Sequence, residues 1–409
     1  MTQIQAMIPF SPPRIDEQII NAVTEALKSG WITTGPRTKE LEKQISNYCG
    51  VNNTLCLNSW TNAVELFLRW YGVGPGDEVI VPAYTYAATA NIVLHCGASP
   101  VMADVDQNAL MDLDSVQRLI SDRTKVIMPV DIGGLPFDYP ALFQLVKNHT
   151  DSFGFNPRSA AQEKMGRILI LADAAHSFGA SLNGVKAGKM ADVTGFSFHA
   201  VKNLTTAEGG ALSFNLPAAF DSAEVYRELA IKGLHGQTKD ALSKMQAGAW
   251  KYDIIEPGYK CNMTDIQAAI GLVELSRYDS ETIPRRKSIV QLYSKLLEKY
   301  DWAKLPVFKN ERMESSYHLY MLRIKGASEI ERDEIIRKVA LAGVSVNVHF
   351  LPLPLLTCYK NLGFNINNYP GAKAFYENEI SLPVYYDLSD DQVQTVVNEI
   401  AKAVESSLN

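Results

Sequence analysis

The chain has 409 residues, 46% of them hydrophobic, so it can bury one large core and still leave material for a second, smaller domain. The formal net charge is −6, and the charges of both signs are interspersed, without a basic stripe or a like-charged tail. This composition argues against nucleic-acid binding. The N-terminus lacks a basic start followed by an apolar stretch, and no apolar run approaches membrane-spanning length. We therefore expect a soluble, cytoplasmic protein that binds neither nucleic acid nor a membrane.

The cysteines are odd in number and widely scattered, and no two of them form a CxxC pair with metal-ligand spacing. This pattern predicts reduced thiols and core residues, with no metal site and no disulfide framework. The five positions are Cys49, Cys56, Cys96, Cys261 and Cys358.

From residue 15 to 97, amphipathic helical stretches alternate with short apolar strands, and the helical ones include NAVELFLRWYG and ANIVLHCG. Strand-like runs then continue as DEVIVPAYTY, SPVMADVD, TKVIMPVDIGG, GRILILADAAH, VTGFSFHA and GALSFN. Such alternation predicts an α/β domain with a largely parallel sheet covered on both faces. Ligands of such sheets gather at the loops where strands end.

The segment 137–166 interrupts this rhythm, because a helix-like PALFQLVKNH is followed by a polar stretch without a strand signal. We interpret it as an excursion between two strands. After the long helical NMTDIQAAIGLVELSRYDS, the pattern changes to helical RRKSIVQLYSKLLEKY, strand-like YHLYMLRI, helical EIERDEIIRKVALAG and strand-like VSVNVHF. The sequence thus predicts a large domain over residues 1–276 and a smaller α+β domain over residues 277–409.

Three polar segments follow strand-like runs in the large domain: DAAHSFGA, SFHAVKN and TTAEGGA. Asp173 ends one apolar strand, and Lys202 lies in a polar turn at the end of another, with Ser197 nearby. Pyridoxal phosphate needs an amine for a Schiff base, a carboxylate opposite its pyridine nitrogen, and hydroxyl or amide donors for its phosphate. Asp173, Lys202 and Ser197 are candidates of the right types.

Each of these residues also has an ordinary structural interpretation. Lys202 fits a solvated surface lysine, and Asp173 fits the cap of a helix that starts at Ala174. His176 fits a half-buried imidazole, and Ser197 a plain turn or strand residue. Spacing alone leaves both sets of interpretations open.

The sequence resembles the DegT/DnrJ/EryC1/StrS family of sugar aminotransferases over almost its whole length. The motifs that carry the resemblance are, in order, SGWITTGPRTKELE, VGPGDEVIVPAYTYAATANIVL, ASPVMADVD, the DAAH segment, FSFHAVKNLTTAEGGAL, PGYKCNMTDIQAAIGL, HLYMLRI, NVHFLPL and SLPVYYDLSDDQ. The resemblance implies pyridoxal phosphate as cofactor and the aspartate-aminotransferase fold, which is fold type I of the enzymes that use this cofactor. That fold has a large domain with a mostly parallel seven-stranded sheet, followed by a smaller C-terminal α+β domain.

Carried over onto this sequence, the resemblance implies catalytic roles for two residues. Lys202 would form the Schiff base and later move a proton between substrate and cofactor, and Asp173 would pair with the pyridinium nitrogen. His176 would lie beside the phenolic oxygen, and Tyr86 would lie flat against the ring.

The resemblance further implies that Ser197 and Thr61 contact the phosphate, with Thr61 at the start of the helix NAVELFLRW, whose N-terminus favours an anion. Asn262, or Lys260 where many relatives have Asn, would reach the phosphate of the partner subunit in a homodimer with shared sites.

The chain departs from the family pattern at three further positions. Trp60 stands where relatives usually have glycine, so a bulky indole is expected beside the phosphate. Ala207 replaces the glycine common before the Glu-Gly-Gly segment, and Cys261 replaces a tyrosine.

The resemblance implies an amino acid, most often L-glutamate, as donor and a nucleotide-linked keto-sugar as acceptor, with a UDP- or dTDP-4-keto-6-deoxy sugar the leading choice. Trp31, Thr33 and His349 lie in the family segments that line the nucleotide-sugar cleft. Alternatively, Trp31 is a core residue, Thr33 a helix cap and His349 a packed strand residue.

Three other functions compete with the aminotransferase. Relatives use the same cofactor to dehydrate sugars or act on non-sugar ketones, although the dehydratases without transaminase activity usually replace the lysine with histidine. A non-catalytic regulatory protein that binds the cofactor is a second alternative. A nicotinamide-dependent oxidoreductase is a third, but no G-x-G-x-x-G follows the first strand.

Overall fold

The computed structural model describes residues 7–239 and 250–408; residues 1–6, 240–249 and 409, which the predicted domains include, lie outside the described residues. The first part of the chain builds a seven-stranded sheet. Its strands, in order across the sheet, are β1 (Asn53–Leu57), β9 (Gly210–Phe214), β8 (Val193–Ser197), β5 (Leu169–Asp173), β4 (Thr124–Ile127), β2 (Glu78–Pro82) and β3 (Ser99–Ala103).

Only β9 runs antiparallel to its two neighbours in this sheet, and the other adjacent pairs are parallel. Because β9 lies between β1 and β8, the other six strands point the same way and their carboxyl ends meet at one edge. The predicted fold class, with a mostly parallel seven-stranded sheet, is confirmed.

Helices connect these strands and pack on the sheet. They are α1 (Glu17–Lys28), α2 (Pro36–Cys49), α3 (Trp60–Trp70), α4 (Ala88–His95), α5 (Leu113–Leu119), α6 (Tyr139–Phe153), α7 (Ala160–Met165), α8 (Ser222–Lys232) and α9 (Asp265–Ser276). At the starts of α1, α3 and α5 to α9, the side chain of the N-cap residue accepts a hydrogen bond from a free backbone N–H group. The clearest case is α9, where Thr264 and Gln267 form a reciprocal capping box.

The excursion 137–166 lies between β4 and β5, as the sequence predicts. It consists of α6, which has the predicted helical residues, and the short α7 in the polar stretch. Ser159 caps α7, and its hydroxyl donates to the carbonyl of Tyr71 (2.7 Å), which ties the excursion to the end of α3.

The C-terminal part contains α10 (Ile283–Leu297), α11 (Glu329–Leu341), α12 (Thr357–Asn361), α13 (Pro370–Tyr376) and α14 (Asp390–Glu405). Its three-stranded antiparallel sheet has the order β10 (Ala303–Lys304), β12 (Tyr320–Ile324), β13 (Glu379–Leu382). A second small sheet of β11 (Met313–Glu314), β6 (Ser181–Leu182) and β7 (Val185–Lys186) joins this part to the first.

The predicted strand VSVNVHF is wrong. Only Val344 and Asn347 make isolated bridges, to Ile8 and Ser381 respectively. The N–H groups of Val348 and His349 donate instead to side-chain oxygens, those of Asn347 (2.8 Å) and Glu379 (3.0 Å). Since the backbone donors that a ladder needs are already taken, the segment leaves the sheet.

Buried apolar residues form two clusters. The larger one surrounds the seven-stranded sheet and also includes Tyr359 and Phe375 of the C-terminal part. The smaller one is built on α10, α14 and β12 and includes Ile8 from the N-terminal segment. The domain division at residue 276 stays a prediction.

No helix within residues 7–239 and 250–408 is long and apolar enough to cross a bilayer. All five cysteines are unpaired, and only Cys358 is exposed.

Candidate active site

A cavity of about 490 Å³ opens at the carboxyl ends of β5 and β8 and extends to the segment around His349. Among its lining residues are the predicted site residues Thr61, Tyr86, Asp173, His176, Ser197, Lys202 and His349. Residues far apart in the sequence meet here because parallel strands end at the same edge of a sheet.

Asp173 is the last residue of β5 and lies at the base of this cavity. Its carboxylate accepts hydrogen bonds from the Thr89 hydroxyl (2.8 Å) and the Ala175 N–H (3.2 Å). Burial raises the pKa of Asp173 to about 6, although these donors and the charge of Lys202 oppose the shift. The chain turns without forming a helix after Ala174, so the helix-cap interpretation of Asp173 is wrong.

Lys202 lies in the turn between β8 and β9. Its side chain is only partly exposed, and its ammonium makes no hydrogen bond or ion pair with the residues in the ranges 7–239 and 250–408. Burial lowers the pKa of Lys202 to about 8, against the opposing attraction of the Asp173 carboxylate. The interpretation as a solvated surface lysine is therefore wrong, and a fraction of this amine is unprotonated near neutral pH.

His176 is buried against a second histidine, His318, with their ring centroids 4.4 Å apart. The Gly133 N–H donates to Nδ1 of His176 (3.2 Å), so the neutral ring carries its proton on Nε2. Burial and the charge of Lys202 hold the pKa of His176 well below its usual range, and the same effects lower the pKa of His318. Both rings are thus neutral hydrogen-bonding groups.

The lining residues that were not among the predicted site residues include Thr89, His318 and Glu208. His318 donates from Nδ1 to Oδ1 of Asn203 (2.8 Å), whose amide in turn donates to the Ser316 carbonyl (2.7 Å). The sequence held one signal for this pair, since Asn203 follows Lys202 directly and His318 opens the motif HLYMLRI.

The N-terminus of α3 lines the cavity, with Ser59 as the N-cap and Thr61 in the first turn. The helix comes this close to the sheet because two glycines face it. A Cβ on Gly210 would lie 2.3 Å from the backbone nitrogen of Trp60, and a Cβ on Gly195 would lie 2.7 Å from the indole nitrogen of Trp60. Ser197, at the end of β8, also lines this region, which suits an anion.

The indole of Trp60 is only 5% exposed and packs on Gly195. Its Nε1 has no hydrogen-bond partner among the residues that the structure describes. The sequence-based expectation of an indole beside the phosphate therefore needs refinement, because most of the ring is buried between α3 and β8.

Tyr86 and His349 also line the cavity. Tyr86 is 64% exposed, and its ring centroid is 5.8 Å from that of Phe350. His349 stacks on Phe10 at 5.4 Å, and burial lowers its pKa to about 3. His349 lies in a bend and not in a strand, so its interpretation as a packed strand residue is wrong.

Trp31, Thr33 and Asn262 do not line this cavity. Trp31 is partly exposed and donates from its indole to the carbonyl of Thr34 (3.1 Å), while Asn262 donates to the Thr34 hydroxyl (2.6 Å). Thr33 is exposed, and α2 begins after Gly35, so Thr33 is not a helix cap. The substrate and partner-phosphate roles of these residues stay predictions.

These observations test whether the cavity suits pyridoxal phosphate. It offers an amine with a lowered pKa, a buried carboxylate without a charged hydrogen-bond partner, and hydroxyls at a helix N-terminus. This set of donors and acceptors matches the cofactor's carbonyl, ring nitrogen and phosphate. The described residues contain no group of three or more His, Cys, Asp or Glu side chains that could hold a metal ion.

Residues 13–153 and 157–401 match the model of the DegT/DnrJ/EryC1/StrS aminotransferase family. The chain belongs to this family. Among its relatives is the spore coat polysaccharide biosynthesis protein SpsC of Bacillus subtilis, 33% identical over 98% of both chains. The predicted family and enzyme class are confirmed.

Solved structures of family members superpose closely on this aminotransferase. The putative sugar aminotransferase Spr1654 of Streptococcus pneumoniae, in its PMP form, has a TM-score of 0.94 and 50% identity, covering 98% of this chain and 100% of its own. That protein has also been solved in a PLP form. PseC of Helicobacter pylori, an aminotransferase of pseudoaminic acid biosynthesis, has a TM-score of 0.84 and 27% identity, with 98% and 100% coverage. The predicted fold and cofactor, pyridoxal phosphate, are confirmed at the level of the family.

The other departures from the family pattern have visible local effects in this aminotransferase. Ala207 has a φ of +67°, a left-handed conformation that favours glycine. Cys261 is buried, and its carbonyl accepts from the Asn58 N–H (2.8 Å), which ties this segment to the chain just before α3. Lys260 is exposed and bonds to Asn262.

Proposed function

We propose that this protein transfers an amino group from an amino acid, L-glutamate, to a nucleotide-linked keto-sugar, with pyridoxal phosphate bound to Lys202. The observation that carries the proposal is the pairing of Lys202 and Asp173 in one cavity. The amine has a pKa lowered to about 8, and the carboxylate has no lysine or arginine within hydrogen-bonding distance among the described residues. Burying an amine and a carboxylate without a hydrogen-bonded partner of opposite charge is costly for folding. The presence of both groups in one cavity therefore supports a chemical role.

The cofactor, when bound, supplies a carbonyl that reacts with amines and a protonated ring that accepts electron density from the substrate carbon. Asp173 would hold the proton on the ring nitrogen, because its buried carboxylate is stabilised by that cationic partner. The amine of Lys202 would accept a proton from the substrate carbon and return it, since its lowered pKa lies close to neutral pH.

Other cavity residues would position the cofactor. Ser197, Thr61 and the N–H groups at the start of α3 would hold the phosphate. The Nε2–H of His176 would donate to the phenolic oxygen, because Nδ1 already accepts from Gly133. Tyr86 has an exposed face that can cover the ring.

The acceptor that we propose is a UDP- or dTDP-4-keto-6-deoxy sugar. Support comes from the names of two relatives, one in spore coat polysaccharide biosynthesis and one in pseudoaminic acid biosynthesis. The cytoplasm is the proposed compartment, because unpaired thiols persist where the environment is reducing. Trp31, Thr33 and His349 are the proposed sugar contacts.

We also propose a homodimer in which Asn262 reaches the partner's site. Several large apolar side chains are exposed between residues 250 and 259, including Trp250 (77%) and Ile255 (57%), and such a patch favours association. Light scattering measures the mass. Mixing the Lys202→Ala and Asn262→Ala variants tests the sharing, because hybrid dimers with one intact shared site regain activity. A monomer, or mixtures without any regained activity, would contradict this arrangement.

The substrate proposal is tested by incubating the enzyme with ¹⁵N-labelled L-glutamate and a panel of UDP- and dTDP-linked 4-keto-6-deoxy sugars. Mass spectrometry should find ¹⁵N in an amino-sugar product, and the Lys202→Ala variant should form none. Transfer of the label to simple ketones but to no sugar nucleotide would instead support the non-sugar alternative.

A further inference from the structure

Three side chains form a hydrogen-bonded chain that leads from the cavity into the C-terminal part. Nδ1 of His349 lies 2.9 Å from Oγ of Ser381, and this hydroxyl lies 2.5 Å from Oε1 of Glu379. The other carboxyl oxygen, Oε2, accepts from the backbone N–H of His349 (3.0 Å). Glu379 and Ser381 are wholly buried on the same face of β13, while His349 lines the cavity.

The hydrogen bonds that join His349, Ser381 and Glu379 can run in either of two directions. When Glu379 is ionised, the Ser381 hydroxyl donates to the carboxylate and accepts from Nδ1–H of His349, so Nε2 is a bare acceptor. When Glu379 is protonated, the proton must lie on Oε1, because Oε2 accepts the His349 N–H. The acid then donates to Ser381, Ser381 donates to Nδ1, and Nε2 of His349 carries the proton.

The charges around this chain decide which direction holds. Near Glu379, Arg332 donates to its backbone carbonyl (3.2 Å), Arg323 lies across the sheet on β12, and the Tyr84 phenol is buried beside it. The Glu379 carboxyl forms no ion pair with the residues in the described ranges.

Near His349, the charged or titratable groups are Lys202, His176 and His318. Burial raises the pKa of Glu379 to about 8, whereas burial and the Lys202 charge lower the pKa of His349 to about 3. A proton shared by the chain therefore lies on Glu379 at neutral pH.

We propose that Glu379, acting through Ser381, selects the tautomer of His349 and thereby decides whether the cavity meets an N–H donor or a bare nitrogen at this position. At neutral pH the donor faces the cavity. This donor suits an anionic, acceptor-only oxygen of the ligand, whereas a hydroxyl could adapt to either tautomer. Glu379 and Ser381 are positioning residues, and His349 makes the contact.

This inference rests on the proposed function only for the identity of the ligand. A carboxylate of the amino-acid donor and the diphosphate of a sugar nucleotide both supply such an oxygen. Ionisation of Glu379 would weaken binding of either group in two ways, since it removes the N–H donor and adds a buried negative charge.

Selective ¹⁵N-histidine labelling of the protein loaded with pyridoxal phosphate tests the tautomer directly by NMR, with the His349→Gln spectrum as the assignment. We expect Nε2–H at pH 6.5 and a change to Nδ1–H by pH 9.5. Glu379→Gln should keep Nε2–H throughout, because its amide oxygen must face the His349 N–H and its NH₂ then donates to Ser381. Ser381→Ala should remove the dependence on pH.

Glu42→Gln is the matched control, since Glu42 is also a buried glutamate with a raised pKa but does not line the cavity. It should switch as the parent does. An unchanged tautomer in the parent, or a switch that persists in Glu379→Gln or Ser381→Ala, would overturn the proposal. These spectra need no turnover, so their outcome is independent of whether the proposed reaction is correct.

The ligand is identified by two binding series, one with L-glutamate and one with UDP. Between pH 7 and pH 9, binding of the ligand that contacts His349 should weaken about tenfold in the parent. In Glu379→Gln, the ratio of the dissociation constants at pH 9 and pH 7 should fall to the part that titration of Lys202 causes. If the dissociation constant of L-glutamate increases more between pH 7 and pH 9 in the parent than in Glu379→Gln, the ligand group is the carboxylate. If that of UDP does so, the ligand group is the diphosphate. No difference between parent and variant for either probe would overturn the ligand contact.

Discussion

The two walls of the cavity are built differently. Asp173 and Lys202 lie at or just after strand ends of the seven-stranded sheet, where backbone ladders hold the chain on both sides. His349 lies in a segment without a ladder, which side-chain bonds from Asn347 and Glu379 hold in place. The first wall, the strand-end wall of Asp173 and Lys202, suits chemistry, which needs fixed geometry. The second wall, at His349, suits recognition, which can vary between substrates.

The largest effect should come from Lys202→Ala on the strand-end wall. Loss of the amine removes both the covalent attachment and the proton carrier, so the overall turnover should fall by about 10³-fold or more. The comparison is sharpened by His349→Gln on the other wall, which should mainly raise KM. Equal effects of the two variants on kcat would remove the distinction between the walls.

Asp173→Asn should reduce turnover by about 10²-fold and weaken cofactor binding much less. The amide keeps the size and the hydrogen bond from Thr89 but cannot stabilise a proton on the ring nitrogen. Steady-state kinetics and a cofactor titration measure the two effects, with Thr89→Val reporting the loss of the hydrogen bond alone. Turnover close to that of the parent would contradict the role of Asp173.

Asp131 supports the strand-end wall by accepting from the hydroxyls of Ser177 (2.6 Å) and Tyr139 (2.8 Å). Burial raises its pKa to about 6, above the ordinary 3.8. The folded state therefore binds this proton more tightly than the unfolded state, and the carboxyl's contribution to stability is lost as pH rises from about 4 to about 6.

Asp131→Asn should remove this dependence. Relative to the parent, the variant should become more stable by roughly 2 kcal/mol between pH 4 and pH 7, which means a larger free energy of unfolding, since each pKa unit is worth about 1.4 kcal/mol. Denaturant unfolding measures the difference, and the exposed Asp151→Asn is the control without such a trend. A parallel pH dependence in parent and Asp131→Asn would show that this carboxyl titrates normally.

The smallest effect is expected at the turn that follows Lys202. Ala207→Gly should stabilise the protein by about 0.5–1 kcal/mol, because the left-handed conformation costs alanine about 1–2 kcal/mol and glycine's extra backbone entropy offsets part of the gain. Ala230→Gly, inside α8, should destabilise by about 1 kcal/mol. The same sign for both substitutions in denaturant unfolding would contradict the strain at Ala207.

The strand-end wall was predictable from sequence because short apolar runs alternate with helices, and polar residues follow the runs. On that basis Asp173 and Lys202 were candidates of the right types, but their ordinary structural interpretations stayed open, and their roles came from the family resemblance. The resemblance also indicated His349, but it did not reveal what holds that residue in place.

The other wall was less predictable for a physical reason. VSVNVHF has the alternation of a strand, but the side chains of Asn347 and Glu379 take the backbone donors. Glu379 and His318 come from distant parts of the chain, and no local pattern distinguishes a buried glutamate that bonds to a cavity residue from one in the core. Such contacts require the tertiary structure.

The central claim is that Lys202 carries the cofactor. The most direct measurement is to supply the purified protein with pyridoxal phosphate, reduce the imine with borohydride, and locate the added mass by peptide mass spectrometry. We predict a single modified peptide with the mass on Lys202, and no modification at this peptide in Lys202→Ala. Stoichiometric modification of a different lysine in the parent would contradict the account.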